Sequence, residues 1–279
     1  MEPISLLFLI GVLVLVALVS GIASGLFGIG GGAVMVPTLH YAFKAIDISD
    51  AVVMHCAVAT SAAVIIINSW RSVSKHAARG AVDMNILLPK KIWRSYGLWI
   101  ALGSFLAAWA IAPHLSGKAL TSLFAIIAFF VALQFIFGRP DFILRQDVPG
   151  GLAPPFIGGT VGGLSALMGI GGGSLSVPLL SLCNVPIHRA IGTASGIGLA
   201  IAVPATLGFI ISGLGVEGRP DFSLGYVNLA GFAIIAFVSA LVVPLGVKLA
   251  HSMEGNKLKQ IFGVCLMLVA MNMLRETIF

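Results

Sequence analysis

The chain has 279 residues, 58% hydrophobic and only 9% charged, with a mean hydropathy of +1.07. A soluble domain carries about 25% charged residues, so a soluble globular protein is excluded. The 16 Lys and Arg against 10 Asp and Glu give a formal charge of +6, but the basic residues fall between apolar runs, as membrane orientation requires, and nucleic acid is not needed to explain them. Residues 3–43, 51–70, 95–117, 119–138, 148–188, 190–216, 222–247 and 260–274 hold no Asp, Glu, Lys or Arg. A span needs about 20 apolar residues, so the expected fold is all-α, a polytopic transmembrane helical bundle.

The first run starts after Met1, Glu2 and Pro3, without the basic start of a secretory signal, and is expected to stay as a helix. It leads into GLFGIGGGAVMVPTL, Gly25–Leu39. A four-glycine cluster will not hold a continuous helix in lipid, and its freed amides must be met by protein, water or ligand. The apolar piece that follows, Ala33 to Phe43, is half a span long and should start near mid-membrane. The next run carries AVATSA, with Thr60 and Ser61. His40 and His55 fall near outer helix ends and read as interfacial or structural, and Asn68, Trp70, Trp93 and Trp99 fit an interfacial belt. The loop from Arg71 to Arg94 gathers Arg71, Lys75, Arg79, Lys90, Lys91 and Arg94, with His76 as a solvated neighbour.

After two more spans the pattern repeats. ALMGIGGGSLSVPLL, Ala166–Leu180, answers the first glycine segment and is followed by a second half-span, Ser174 to Cys183. AIGTAS, with Thr193 and Ser195, answers AVATSA, and Gly255–Asn272 answers Gly117–Gln134. Residues 1–138 and 150–279 are therefore expected to be homologous halves joined by a loop at 139–149, the usual build of a secondary transporter. Counting each half as five crossings with a broken second helix places 12 basic residues inside and leaves Lys44, Lys118, Arg219 and Arg275 outside; four crossings per half give 10 to 6. The positive-inside rule favours ten crossings, inverted halves and both termini outside. Cys56, Cys183 and Cys265 lie in apolar runs and read as small apolar side chains.

A helix N-terminus offers unpaired N–H groups and a partial positive charge, and glycine lets a ligand approach closely. Two inverted breaks would aim Gly30, Gly31, Gly32, Gly171, Gly172 and Gly173 at one small oxyanion, with Thr60, Thr193, Ser174 and Ser195 alongside. An anion coming from the cytoplasm would pass Arg71, Lys75 and Arg79. The competing reading is that the glycines only pack helices. Alanine at Gly31 or Gly172 is expected to separate the two by depressing transport without unfolding the protein. Nucleotide binding is disfavoured, because no Lys follows Gly32 or Gly173 as a phosphate loop requires. No apolar run holds a carboxylate for a proton or sodium relay, and no pattern calls for a metal or cofactor. An intramembrane serine hydrolase, with Ser24 or Ser195 and His40 or His55, is a remote alternative in which the chain would be an enzyme.

The doubled G-x-G-G-G-x-x-x-x-P segments, the AVATSA and AIGTAS elements and the loop reading ARGAVD resemble the sulfite exporter TauE/SafE family over nearly the whole chain. The resemblance implies a multi-pass permease of a bacterial or archaeal plasma membrane, not an enzyme, exporting sulfite or an organosulfonate by alternating access. Its partners would be the small anion and the lipid bilayer, without nucleic acid; a second copy of the chain is left open. An anion channel and a non-transporting anion sensor remain alternatives. Members of the family are usually described with seven to nine spans, fewer than the ten counted here.

Overall fold

The computed structural model describes residues 3–88, 94–138, 143–252 and 255–278. Lys90, Lys91, Trp93 and Arg139 lie outside the described residues, as do the side chains of Lys257, Lys259 and Cys265. The first half comprises α1 (Pro3–Phe27), α2 (Gly32–Lys44), α3 (Val53–Ala77), the short α4 (Met84–Leu87), α5 (Tyr96–Leu106) and α6 (Gly117–Phe137). A π turn at Ala107–Ile111 and a 3-10 turn carry α5 on to His114. The second half comprises a π turn (Pro154–Gly158) running into α7 (Gly159–Met168), α8 (Gly173–Leu182), α9 (Ile187–Gly213), the two-residue strands β1 (Ser223–Leu224) and β2 (Val227–Asn228), α10 (Leu229–Ala250) and α11 (Gly255–Ile278).

The fold is a helical membrane bundle. Among the described residues, six stretches are long and apolar enough to cross by themselves: Ile10–Phe27, Val53–Ala77, Tyr96–His114, Gly117–Phe137, Ile187–Gly213 and Leu229–Ala250. Helices α2 and α8 are the half-spans expected after the glycine breaks, within a residue or so of the boundaries read from sequence. Several helices start where a side chain accepts an otherwise unpaired N–H: Ser95 from Leu98, Ser116 from Ala119 and Asn228 from Gly231.

Contacts between helices fix their directions. Along α3 and α9, Gly192 lies beside His76, Ser195 beside Ser72 and Gly198 beside Ser69, so these two helices are antiparallel. Helix α10 runs parallel to α3, since Thr60, Asn68 and His76 meet Asn228, Ser239 and His251 in turn. It also runs parallel to α1, with Gly21 against Ser239 and Gly25 against Val243. The matching pair across the halves is α5 with α7, where Gly103 meets Gly159 and Ile100 meets Gly162. Helix α1 of the first half therefore packs on α10 of the second, and α7 of the second half on α5 of the first, while α3 packs on α9 and α6 on α11. Small residues permit this: Gly21, Gly25 and Gly246 bring the α1 and α10 backbones together without intervening side chains.

These directions gather the described charges at two ends. Lys75, Arg79, Arg145, Arg189 and Lys248 belong to one, where α3 and α10 end and α9 begins. Lys44, Lys118 and Arg219 belong to the other, where Gly117 packs on Asp50. The positive-inside rule assigns the richer end to the cytoplasm, and it is called the cytoplasmic end in that sense. Asn272 near the end of α11 donates to the Tyr41 hydroxyl on α2, at the opposite end.

Candidate functional site

The two glycine breaks meet at the centre of the bundle. They run past each other in opposite directions, with Gly32 against Gly169 and Ile170, Gly171 against Ile29, and Gly173 against Gly28. Every residue from Gly28 to Gly32 and from Gly169 to Gly173 is buried. Gly28, Gly30 and Gly31 take the left-handed conformation, Gly31 at φ 82°, which turns the chain from α1 back along itself into α2. In the second break only Gly169 does so, at φ 58°.

The break amides divide into two groups. Gly28 N–H donates to Ser24, Val34 and Met35 donate to Gly31, and Ser176 donates to Gly172. The N–H groups of Gly30 to Ala33 and of Gly171 to Ser174 make no hydrogen bond among the described residues. Buried backbone N–H groups are nearly always paired, so two sets of unpaired donors at facing helix starts are candidates to bind an acceptor. The helix dipoles add partial positive charge at the same place.

Polar side chains hold the carbonyls of the breaks. Ser61 donates to the Gly169 carbonyl at 2.8 Å, Asn68 to that of Gly30 at 3.3 Å and Ser174 to that of Gly171 at 3.4 Å. Ser195 donates to Ile191 and lies 2.9 Å from the Ser72 hydroxyl, beside Gly28. Ser239 donates to the Asn68 side-chain oxygen at 2.7 Å. Asn68, expected in an interfacial belt, is 0% exposed, because its amide is drawn inward by Gly30 and Ser239. From Asn68 the buried polar face of α3 runs on through Ser69 and Ser72 to His76, which is 1% exposed and not the solvated residue expected. The positions of α9 that answer them, Ile201, Ala202, Ala205 and Phe209, are buried and apolar.

The sequence-derived site residues are brought together only in part. Gly30, Gly31, Gly32, Gly171, Gly172, Gly173, Ser174 and Ser195 surround the crossing. Thr60 and Thr193 stand apart, separated by roughly 20 Å of helix along the antiparallel pair, and each does the same local work. The Thr60 hydroxyl accepts from Asn228 N–H and the Thr193 hydroxyl from Asp83 N–H, both at 2.9 Å. Asn228 and Asp83 in turn cap α10 and α4. The sequence carries the signal, since Gly80-Ala81-Val82-Asp83 recurs as Gly225-Tyr226-Val227-Asn228. Thr60→Val should destabilise the folded protein by about 1–3 kcal/mol, the cost of a buried donor left unpaired, and Thr193→Val by less, because Asp83 is only part-buried. Thermal unfolding of the two purified variants compares them.

Arg71, Lys75 and Arg79 lie on the exposed cytoplasmic end of α3 and the turn after it; Arg71 donates to the Ala240 carbonyl on α10 and Arg79 to that of Lys75. At the opposite end a cleft of about 220 Å³ is lined by His40, Lys44, Asp50, Val53, Lys118 and Thr121. His55 sits there too, bonded to Ala112 and stacked on Tyr226, so it is not a partner for Ser195 in a hydrolytic pair. The structure also corrects the alanine test. A methyl group at Gly31 would stand 2.5 Å from the Ser20 carbonyl oxygen, and one at Gly172 would stand 2.7 Å from Ile197 and 2.8 Å from Gly198. Either substitution would disturb packing whatever the amides bind.

A family model described as sulfite exporter TauE/SafE matches residues 13–273. The chain is similar to a probable membrane transporter protein of Haemophilus influenzae, 30% identical over 266 residues that cover 93% of this chain and 96% of that relative. Similar proteins of the same description occur in Methanocaldococcus jannaschii, 29% identical with 91% of each chain covered, and in Bacillus subtilis, 25% identical with 96% of this chain and 98% of the relative covered. No solved structure matches the chain.

Proposed function

Because the chain belongs to the sulfite exporter TauE/SafE family, we propose that this membrane transporter carries a small sulfur-containing oxyanion, sulfite or an organosulfonate, out of the cell by alternating access. The observation that carries the reading is the pair of facing, buried helix starts whose N–H groups, Gly30 to Gly32 and Gly171 to Gly173, lack an acceptor. These donors bind the anion, with Ser174 and Ser195 at the margin of the site. Thr60 and Thr193 act at a distance, by holding the segments that start α10 and α4. On the cytoplasmic side the anion moves along the polar face of α3; the apolar face of α9 separates it from the other end.

Backbone amides answer to charge and size, so a tetrahedral or pyramidal oxyanion suits them better than a neutral solute. No carboxylate in an apolar run is needed to drive export. An inside-negative potential supplies about 2.3 kcal/mol per charge per 100 mV, hence about 4.6 kcal/mol for a dianion. Purified protein in liposomes loaded with sulfite, thiosulfate, sulfate or an organosulfonate should release at least one of them, saturably and faster at inside-negative potential. Release of none, or release that ignores both concentration and potential, would sink the reading.

A further inference from the structure

Three histidines from three elements and both halves meet at the cytoplasmic end. His76 lies in the last turn of α3, His188 in the first turn of α9, and His251 caps α10. His76 Nε2 is 3.0 Å from the Gly25 carbonyl oxygen. A carbonyl only accepts, so Nε2 carries the proton and Nδ1 is left as an acceptor. His251 Nε2 lies 3.3 Å from that Nδ1 and donates to it, leaving its own Nδ1 free to take a proton from solution. The His188 ring stacks on His251, with centroids 5.3 Å apart and planes at 15°. His188 and His251 are exposed and His76 is buried behind them. Arg79 is the other charged group acting here; α1 contributes only the Gly25 carbonyl, and among the described residues no carboxylate acts on His76 or His251.

A group of cation-capable side chains without a counter-carboxylate is a receptor for an anion. What lies behind it makes it more than a surface patch. The buried face of α3 leads from His76 through Ser72 and Ser69 to Asn68 and the Gly30 carbonyl, whereas Phe209 and its apolar neighbours take the answering positions on α9. The fold thus tolerates apolar side chains at these four answering positions, whereas polar ones stand between the histidines and the breaks.

Resting on the reading of the breaks as an anion site, we propose that His76, His188, His251 and Arg79 form a second, peripheral oxyanion-docking site, charged by proton uptake on His251, that passes a dianion along α3 to the glycine breaks. Proton uptake at His251 Nδ1 charges the ring while its Nε2 bond to His76 stays in place. In the anion-free protein, burial first, then His188 and Arg79, hold the His251 pKa below the ordinary imidazole value. A bound dianion favours the protonated ring and raises that pKa. Docking is therefore stronger at mildly acidic than at mildly alkaline pH.

The test titrates the histidines of the full-length protein in lipid nanodiscs by carbon-13 NMR, without and with sulfate or thiosulfate, which keep their charge where imidazole titrates. Either anion should raise the midpoint of His251 by about one unit, a tenfold preference for the protonated form, and shift the ring signals of His188 but not those of the exposed His114 at the other end. His251→Gln should abolish the shift at His188; both side chains are exposed, so the fold is not at stake. A His251 midpoint that neither anion moves, or ring signals that shift equally at His114, would overturn the proposal. Liposome release from the same preparation separates the two readings. Transport with unmoved histidines removes the docking site and keeps the permease; moved histidines without release of any sulfur anion keep the docking site and remove the permease.

Discussion

Alanine at Gly25 or Gly246 is expected to destabilise the folded protein by about 3 kcal/mol or more, at or above the upper end of overpacking costs, whereas alanine at Gly11 on the same helix should leave it intact. A methyl group at Gly25 would overlap the Val243 carbonyl oxygen, and one at Gly246 the Ile22 carbonyl oxygen. Both obstacles are backbone, which cannot rotate away as a side chain can. Relief requires α1 and α10 to separate, and that loses the contact of α1 in the first half with α10 in the second. At Gly11 nothing lies within 4 Å, so the substitution there has only its effect on helix propensity, a gain of up to about 1 kcal/mol. Thermal unfolding of the purified variants, followed by loss of the monodisperse peak on size exclusion, orders the three. A Gly25→Ala protein as stable as Gly11→Ala would mean that α1 and α10 do not approach as described.

The breaks and the half-helices behind them are legible in the sequence because glycine and proline act locally. Three glycines in a row cannot be held in a lone helix in lipid, and the piece after them is bounded by the next loop, so α2 and α8 follow with errors of about a residue. What depends on partners far along the chain is hidden. Gly25 and Gly246 are two small residues in apolar runs, and nothing near either one says that the other faces it. His76 reads as solvated beside Lys75 and Arg79, because its two partners, the Gly25 carbonyl and His251, belong to other helices. Thr60 and Thr193 are conspicuous as a repeated pair, yet each is set by an N–H at the start of an element in the opposite half. The repeat of Gly80–Asp83 in Gly225–Asn228 was the one further signal that pointed there.

Since a methyl group at the breaks confounds packing with binding, the decisive change removes the N–H and adds nothing. Replacing Gly32 or Gly173 by glycolic acid turns one amide into an ester, so the unpaired N–H at the start of α2 or α8 is lost while the glycine backbone keeps its shape. A hydrogen bond to a charged ligand contributes about 1.5–3 kcal/mol, so either ester should weaken binding of the transported anion by about ten- to a hundredfold. The two halves should respond alike if both helix starts face one anion, as proposed. Replacing Met35 by the α-hydroxy acid that keeps its side chain supplies the control. Its N–H is already paired with the Gly31 carbonyl, so the ester there removes a bond inside the helix, lowers stability and leaves anion affinity where it was. Affinity is read from the concentration dependence of release in liposomes, for whichever sulfur oxyanion moves fastest. If the Gly32 and Gly173 esters transport with unaltered affinity, the break amides are satisfied by something other than the cargo, and the glycines serve the close crossing of two chains and nothing more.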